Sequence, residues 1–176
     1  MGIDVFGNNP TAECGEHYRR NWWGWRPLAD LVCTLEPELT SACMSWQDND
    51  GDGLDTATSI ELAKALKASI ASGRARRLIK AREKTVSAMP NNPCQSCEGT
   101  GIRCDDVGQA HGFPNRMIGT DTEATPKHPR YGQTGWCNGC NGRGHNPPSA
   151  AHYHVTIADV REFANFLAAC GGFEIC

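Results

Sequence analysis

The chain has 176 residues, which fits one domain, or one domain with an inserted subdomain, and is long enough to bury a core. Hydrophobic content is a modest 39%, with 19 glycines and 10 prolines, so loops and a metal must share the structural work. A net charge of −3 excludes strong overall attraction to nucleic acid or to an anionic membrane.

The N-terminus shows no basic segment followed by an apolar run, and no apolar stretch approaches a membrane span. Gly2 has Phe6 where a myristoylation signal needs Ser or Thr, and Cys176, as the last residue, cannot head a prenylation box. We therefore expect a cytoplasmic protein with no membrane association. Its ten cysteines then read as metal ligands and buried thiols rather than disulfides.

In chain order, residues 2–6 alternate apolar and polar and predict a short strand. Thr11, with Glu13 and Glu16 behind it, predicts a capped helix to about Arg20. Trp22, Trp23 and Trp25 then crowd together beside Arg19, Arg20 and Arg26. They form either an aromatic platform for bases or a peptide, or a helix junction where tryptophans cap the core. Buried area is the commoner use of large aromatics, which favours the junction. Pro27 suits the first turn of a second helix carrying Leu28, Leu31, Val32 and Leu35, which Glu36-Pro37 stops. A short helix over 38–46 would place Leu39, Cys43 and Trp46 on one side.

Asp48, Asp50 and Asp52 alternate ahead of Gly53, as in the first half of an EF-hand calcium loop. They are candidate ligands for Ca or Mg, although Ser59 stands at the twelfth position where a bidentate Glu belongs. The alternative is an acidic turn entering a helix. That helix is expected to be boxed by Thr58 and Glu61, striped by Ile60, Ala63, Leu66 and Ile70, and stopped by Gly73.

Residues 74–84 hold six basic side chains, including Arg74, Arg76, Arg77 and Lys80, and one acid. They read as a phosphate-backbone or acidic-partner site, or as a solvated helix neutralised by the 48–55 loop. Further on, His152 and His154 fall on an alternating stretch read as a strand. Thr156 and Asp159 box a last helix whose apolar face is Val160, Phe163, Phe166 and Leu167. Residues 173–176 close the chain as a strand that can pair with 2–6. Cys14, Cys33, Cys43, Cys170 and Cys176 are taken as small buried hydrophobes.

The chemistry concentrates in a repeat. Cys94-Gln-Ser-Cys97-Glu-Gly-Thr-Gly101 is answered by Cys137-Asn-Gly-Cys140-Asn-Gly-Arg-Gly144, each C-x-x-C-x-G-x-G. Two residues between thiols let the backbone curl round one ion, and two such pairs complete a tetrahedron for Zn. The alternatives are coincident turns with free thiols, or disulfides. Cys104, His111, His128 and His145 are substitute ligands. Residues 98–136 show no sustained period, so the metal is expected to close the base of a long loop.

Through Cys94, Cys97, Gly99, Gly101, Cys137, Cys140, Gly142 and Gly144 the repeat resembles the cysteine-rich zinc module of DnaJ-type chaperones, over about 94–144. In that family four repeats bind two zincs beside a His-Pro-Asp J-domain; two repeats imply one zinc, and that signature is missing. The start, Met1 to Gly7, and the end, Phe166 to Cys176, resemble those of uncharacterised small proteins of bacteria and their phages; that resemblance carries no activity, and a host-interaction role goes with it by association alone.

The expected fold is α+β: a small sheet, three or four helices and an inserted zinc-knuckle subdomain over 91–148. No nucleophile elbow, P-loop or dinucleotide fingerprint stands out, so a binding protein is expected before an enzyme. Its partner would be another protein, met through the zinc module, Arg103, Arg143 and the insertion. The alternative is nucleic acid, met through 74–84 and Trp22–Trp25.

Overall fold

A computed structural model describes residues 2–103, 105–107, 116–117 and 134–176, with only the backbone at 116–117 and 134–135. The protein is an α+β mix of helices and a small antiparallel sheet. Its chain divides into two compact units, 1–87 with 150–176, and 88–149.

In the first unit, β1 (Gly2–Gly7) runs antiparallel to β2 (His17–Asn21). The final strand, β8 (Phe173–Ile175), lies on the other side of β1, and β3 (Asp52–Leu54) lies beyond it. The expected pairing of the two chain ends is thus present, with Val5 opposite Ile175. Ile3, Val5, Tyr18, Phe173 and Ile175 all point inward. Asp4, Phe6, His17 and Glu174 alternate with them on the open face.

The helix expected over 11–20 is a correction. Only a 3-10 turn forms, at Glu13–Gly15, and the chain then enters β2. Tyr18 alone in that stretch needed burial, and a strand against β1 buries it while leaving His17 and Arg19 exposed.

Helix α1 (Trp22–Leu35) starts five residues earlier than expected, because the Asn21 side chain accepts the Gly24 N–H at 2.9 Å. Pro27 is its sixth residue, so the helix forgoes one backbone bond, to the Trp23 carbonyl. A single turn, α2 (Pro37–Thr40), replaces the helix expected over 38–46. Trp46 beyond it is held by its indole N–H, which donates to the Thr40 carbonyl at 3.1 Å.

Helix α3 (Thr56–Ala71) is capped by Asp55, which accepts the Thr58 N–H at 2.7 Å. The expected Thr58–Glu61 box is therefore one turn too late. Its buried face is Ser59, Leu62, Ala63, Leu66 and Ser69, and Ile60 is exposed, which corrects the expected stripe. Gly73, with φ +73°, turns the chain into α4 (Arg74–Ser87).

Helix α5 (Ile157–Ala169) has the expected Thr156–Asp159 capping box and buries Val160, Phe163, Phe166 and Leu167. Residues 149–152 form a 3-10 turn rather than leading into a strand, and His152 and His154 are both exposed. Trp25, Trp46, Phe163, Phe166 and Phe173 build an aromatic core with ring centroids 5.6–6.4 Å apart. The Trp25 indole N–H donates to the Trp46 carbonyl at 2.7 Å, so its one polar atom is satisfied inside that core.

Two of the five cysteines taken as buried are not. Cys14 and Cys176 are exposed, Cys33 is half-buried, and Cys43 and Cys170 are buried. Cys176 follows Ile175 in the strand alternation and so falls on the open face. Burial pushes the thiols of Cys33, Cys43 and Cys170 up, that of Cys43 to about 12.

Candidate metal centre

The second unit is built on the two cysteine knuckles. A two-stranded ladder, β4 (Asn92–Pro93) with β7 (His145–Asn146), precedes the first knuckle and follows the second. Another, β5 (Arg116–Met117) with β6 (Thr134–Gly135), lies within the insertion. The Cys94 N–H donates to the Gly144 carbonyl at 2.8 Å, and the Cys137 N–H donates to the Gly101 carbonyl at 3.1 Å. Each knuckle thus opens by bonding to the last glycine of the other. This reciprocity comes from the repeat, because the shared placing of cysteines and glycines curls both segments into the same turn.

The turns match residue by residue. Gly99 and Gly142 donate their N–H to the carbonyls of Cys94 and Cys137, at 3.1 and 2.9 Å. Glu98 and Asn141, at the same position in each repeat, both take positive φ, 54° and 52°. At the end of each repeat the N–H of Gly101 reaches Cys97 Sγ, and the N–H of Gly144 reaches Cys140 Sγ, both at 3.2 Å. These amides aim partial positive charge at sulfur, and at Cys97 the Gly101 N–H works against the upward push of burial on the thiol. Their role escaped the sequence reading, which took the chemistry of the repeat from its cysteines alone. The signal was the fixed four-residue offset between donor and sulfur in both repeats.

The four sulfurs lie within 4.8 Å of one another, and all four cysteines are buried. Cys94 Sγ is 3.8 Å from Cys137 Sγ, and Cys97 Sγ is 3.8 Å from Cys140 Sγ. These four cysteines form a group that can hold a metal ion. Burial pushes the thiols of Cys97 and Cys137 up, Cys137 to about 12. Burial also pushes on Cys94, but the Ser96 N–H and hydrogen bonds with Cys97 and Cys137 outweigh it and bring that thiol to about 7.

The other expected ligands behave differently. Cys104, His111 and His128 lie outside the described residues, and His145 is exposed in β7. Among the described residues no other three or more His, Cys, Asp or Glu side chains are gathered. Asp48 and Asp50 stay exposed, and Asp52 is engaged elsewhere. Its Oδ2 accepts the N–H groups of Met44 and Ser45 at 2.5 and 2.9 Å, and its Oδ1 accepts that of Gly53 at 2.8 Å. The acidic loop therefore clasps its own backbone and caps α3 through Asp55.

The tryptophan cluster divides as well. Trp25 is fully buried, and the Arg26 guanidinium covers Trp22 at 4.1 Å. Trp23 is 45% exposed, against Tyr153 at 4.8 Å and His152 at 5.8 Å. Arg103 pairs with Asp105 at 2.7 Å, and Arg143 Nε donates to the Cys140 carbonyl at 3.0 Å. No helix of the described residues is long and apolar enough to cross a membrane. No family model, curated protein or solved structure matches the chain.

Proposed function

We propose that this is a zinc protein whose four-cysteine centre is structural, and that it works as a protein-interaction or adaptor module. The supporting observation is the pair of 3.8 Å sulfur separations. A tetrahedron with Zn–S of about 2.3 Å has edges of about 3.8 Å. Four thiolates fill the coordination shell and leave no position for a catalytic water, so the ion serves folding.

The second unit has need of it. Its buried apolar side chains, among the described residues, are the four cysteines and Ile102. Five such side chains are little apolar surface with which to hold the two knuckles together unaided. What the chain shares with the DnaJ-type module in this proposal is the knuckle, and the partner is a protein held by the surface the knuckles display.

Metal analysis by mass spectrometry, on wild type beside Cys94→Ser/Cys137→Ser, tests the centre. One zinc per chain is expected in the wild type and none in the variant. Iron in place of zinc would overturn the metal assignment, since tetrahedral sulfur sites accept both. A metal-free wild type would overturn the centre. Affinity capture with the same pair tests the partner: a protein retained by both chains equally does not use the zinc module.

A further inference from the structure

Helix α4 is the second chemically marked element. Its inward face is small: Ala75 and Ile79 are buried, Leu78 packs beside them, and Arg82 Nη1 donates to the Tyr153 carbonyl at 2.6 Å. Arg76, Arg77, Lys80 and Lys84 are exposed on the remaining surface. Positions 76, 80 and 84 recur at four-residue spacing, so their side chains form a stripe rising about 6 Å per step.

The acids expected to neutralise this helix do not reach it. Asp52 and Asp55 hold backbone N–H groups, and the ion pair of α4 among the described residues is Arg74 with Glu36, at 3.1 Å. The first turn carries Arg74, Arg76 and Arg77 and no acid. Cations at the positive end of a helix are destabilising, and a bound anion relieves that cost. In a chain of net charge −3, such a cationic face is local rather than a property of the whole surface.

We infer that the outward face of α4 is a phosphate-backbone site for nucleic acid. The exposed large hydrophobic residues include none on α4, which disfavours insertion into a lipid surface. Arg74 is paired with Glu36 and Arg77 Nη1 donates to the Ser72 carbonyl at 3.2 Å, so the exposed Arg76 is the first-turn side chain whose planar fork fits phosphate oxygens in pairs. The same unit exposes Trp23 beside His152 and Tyr153, and Arg82 holds the Tyr153 backbone from α4, so an aromatic surface for a base lies near the helix. Binding is therefore sequence-independent, led by charge and assisted by stacking.

Fluorescence anisotropy with a labelled 20-nucleotide oligothymidylate and a labelled 20-base-pair duplex tests this at 50, 100 and 200 mM NaCl. Engagement of about four phosphates predicts a log–log salt slope of about −2.8 on the single strand and about −3.6 on the duplex, hence losses of about fifty-fold and about 150-fold across that range. Arg76→Glu/Lys80→Glu/Lys84→Glu is expected to abolish binding. All three positions are exposed and outside 88–149, so this variant should keep its circular dichroism and metal content. Lys80→Glu and Arg161→Glu change net charge equally, and only the first should weaken binding, by about tenfold. No anisotropy change at 50 mM NaCl, or equal binding by the triple variant, would overturn the assignment. So would displacement of the oligonucleotide by polyglutamate at matched charge, or tighter binding to anionic phosphatidylserine vesicles.

Discussion

At the scale of single residues, two glycines with nearly equal backbone angles carry different burdens. Gly144 has φ +80°, and a Cβ there would lie 2.3 Å from the Gly99 carbonyl oxygen. Gly99 has φ +84°, but a Cβ there would meet nothing closer than 3.9 Å. Gly99→Ala therefore costs only left-handed strain, about 1–2 kcal/mol. Gly144→Ala must also push one knuckle off the other. Competition with a chromophoric zinc chelator is expected to show Gly144→Ala weakening metal binding at least tenfold more than Gly99→Ala.

Asp52 offers a test in acid. The N–H groups of Ser45, Met44 and Gly53 hold its carboxyl below the ordinary range. A carboxylate lowered in the folded state stabilises it above the unfolded pKa, near 3.8, and loses that contribution as pH falls through its own value. The gap in melting temperature between wild type and Asp52→Asn should thus be widest near neutrality and close below about pH 4. A gap that is constant with pH would show that the carboxylate charge is not what the clasp uses.

At the scale of elements, Asp159 ties a helix to a strand. Its Oδ2 accepts the Thr156 N–H at 2.7 Å, completing the cap of α5, and its Oδ1 meets Arg20 of β2 at 2.5 Å. The pair is largely buried, with side chains 22% and 10% exposed. Thr156→Ala removes the cap alone and should cost about 1 kcal/mol in urea unfolding. Asp159→Ala also leaves Arg20 without its main partner and should cost about 3 kcal/mol. A cycle with Arg20→Ala should show the two effects to be non-additive.

At the scale of the whole molecule, two separate buried clusters correspond to the two units. One runs from Ile3 to Ile175 and is rich in aromatic and aliphatic side chains. The other consists of the four cysteines. Hydrophobic burial holds the first, and Phe163→Ala, at its aromatic centre, should cost about 3–5 kcal/mol. A metal chelator should leave that unit's unfolding transition in place while opening 88–149 to proteolysis. Loss of both units together under chelation would show that the ion supports the entire fold.

Features that depend on local pattern were legible in the order of residues. The repeat of C-x-x-C-x-G-x-G specified the four gathered thiols, because each knuckle is made by contiguous residues and only the closure is long-range. Thr156 and Asp159 specified the start of α5 for the same reason, and its apolar periodicity specified its buried face. The alternation at both chain ends was enough to pair them. Tertiary structure alone decided between competing local choices. Residues 17–21 became a strand because β1 offered an edge and Tyr18 needed a core. Trp25 went inside and Trp23 outside because the Asn21 cap starts α1 at Trp22, which sets the helix phase. Asp52 became a clasp because the chain folded Met44 and Ser45 back over it. Periodicity states which residues share a face. Only packing states which face is buried, and which charges are left for a partner.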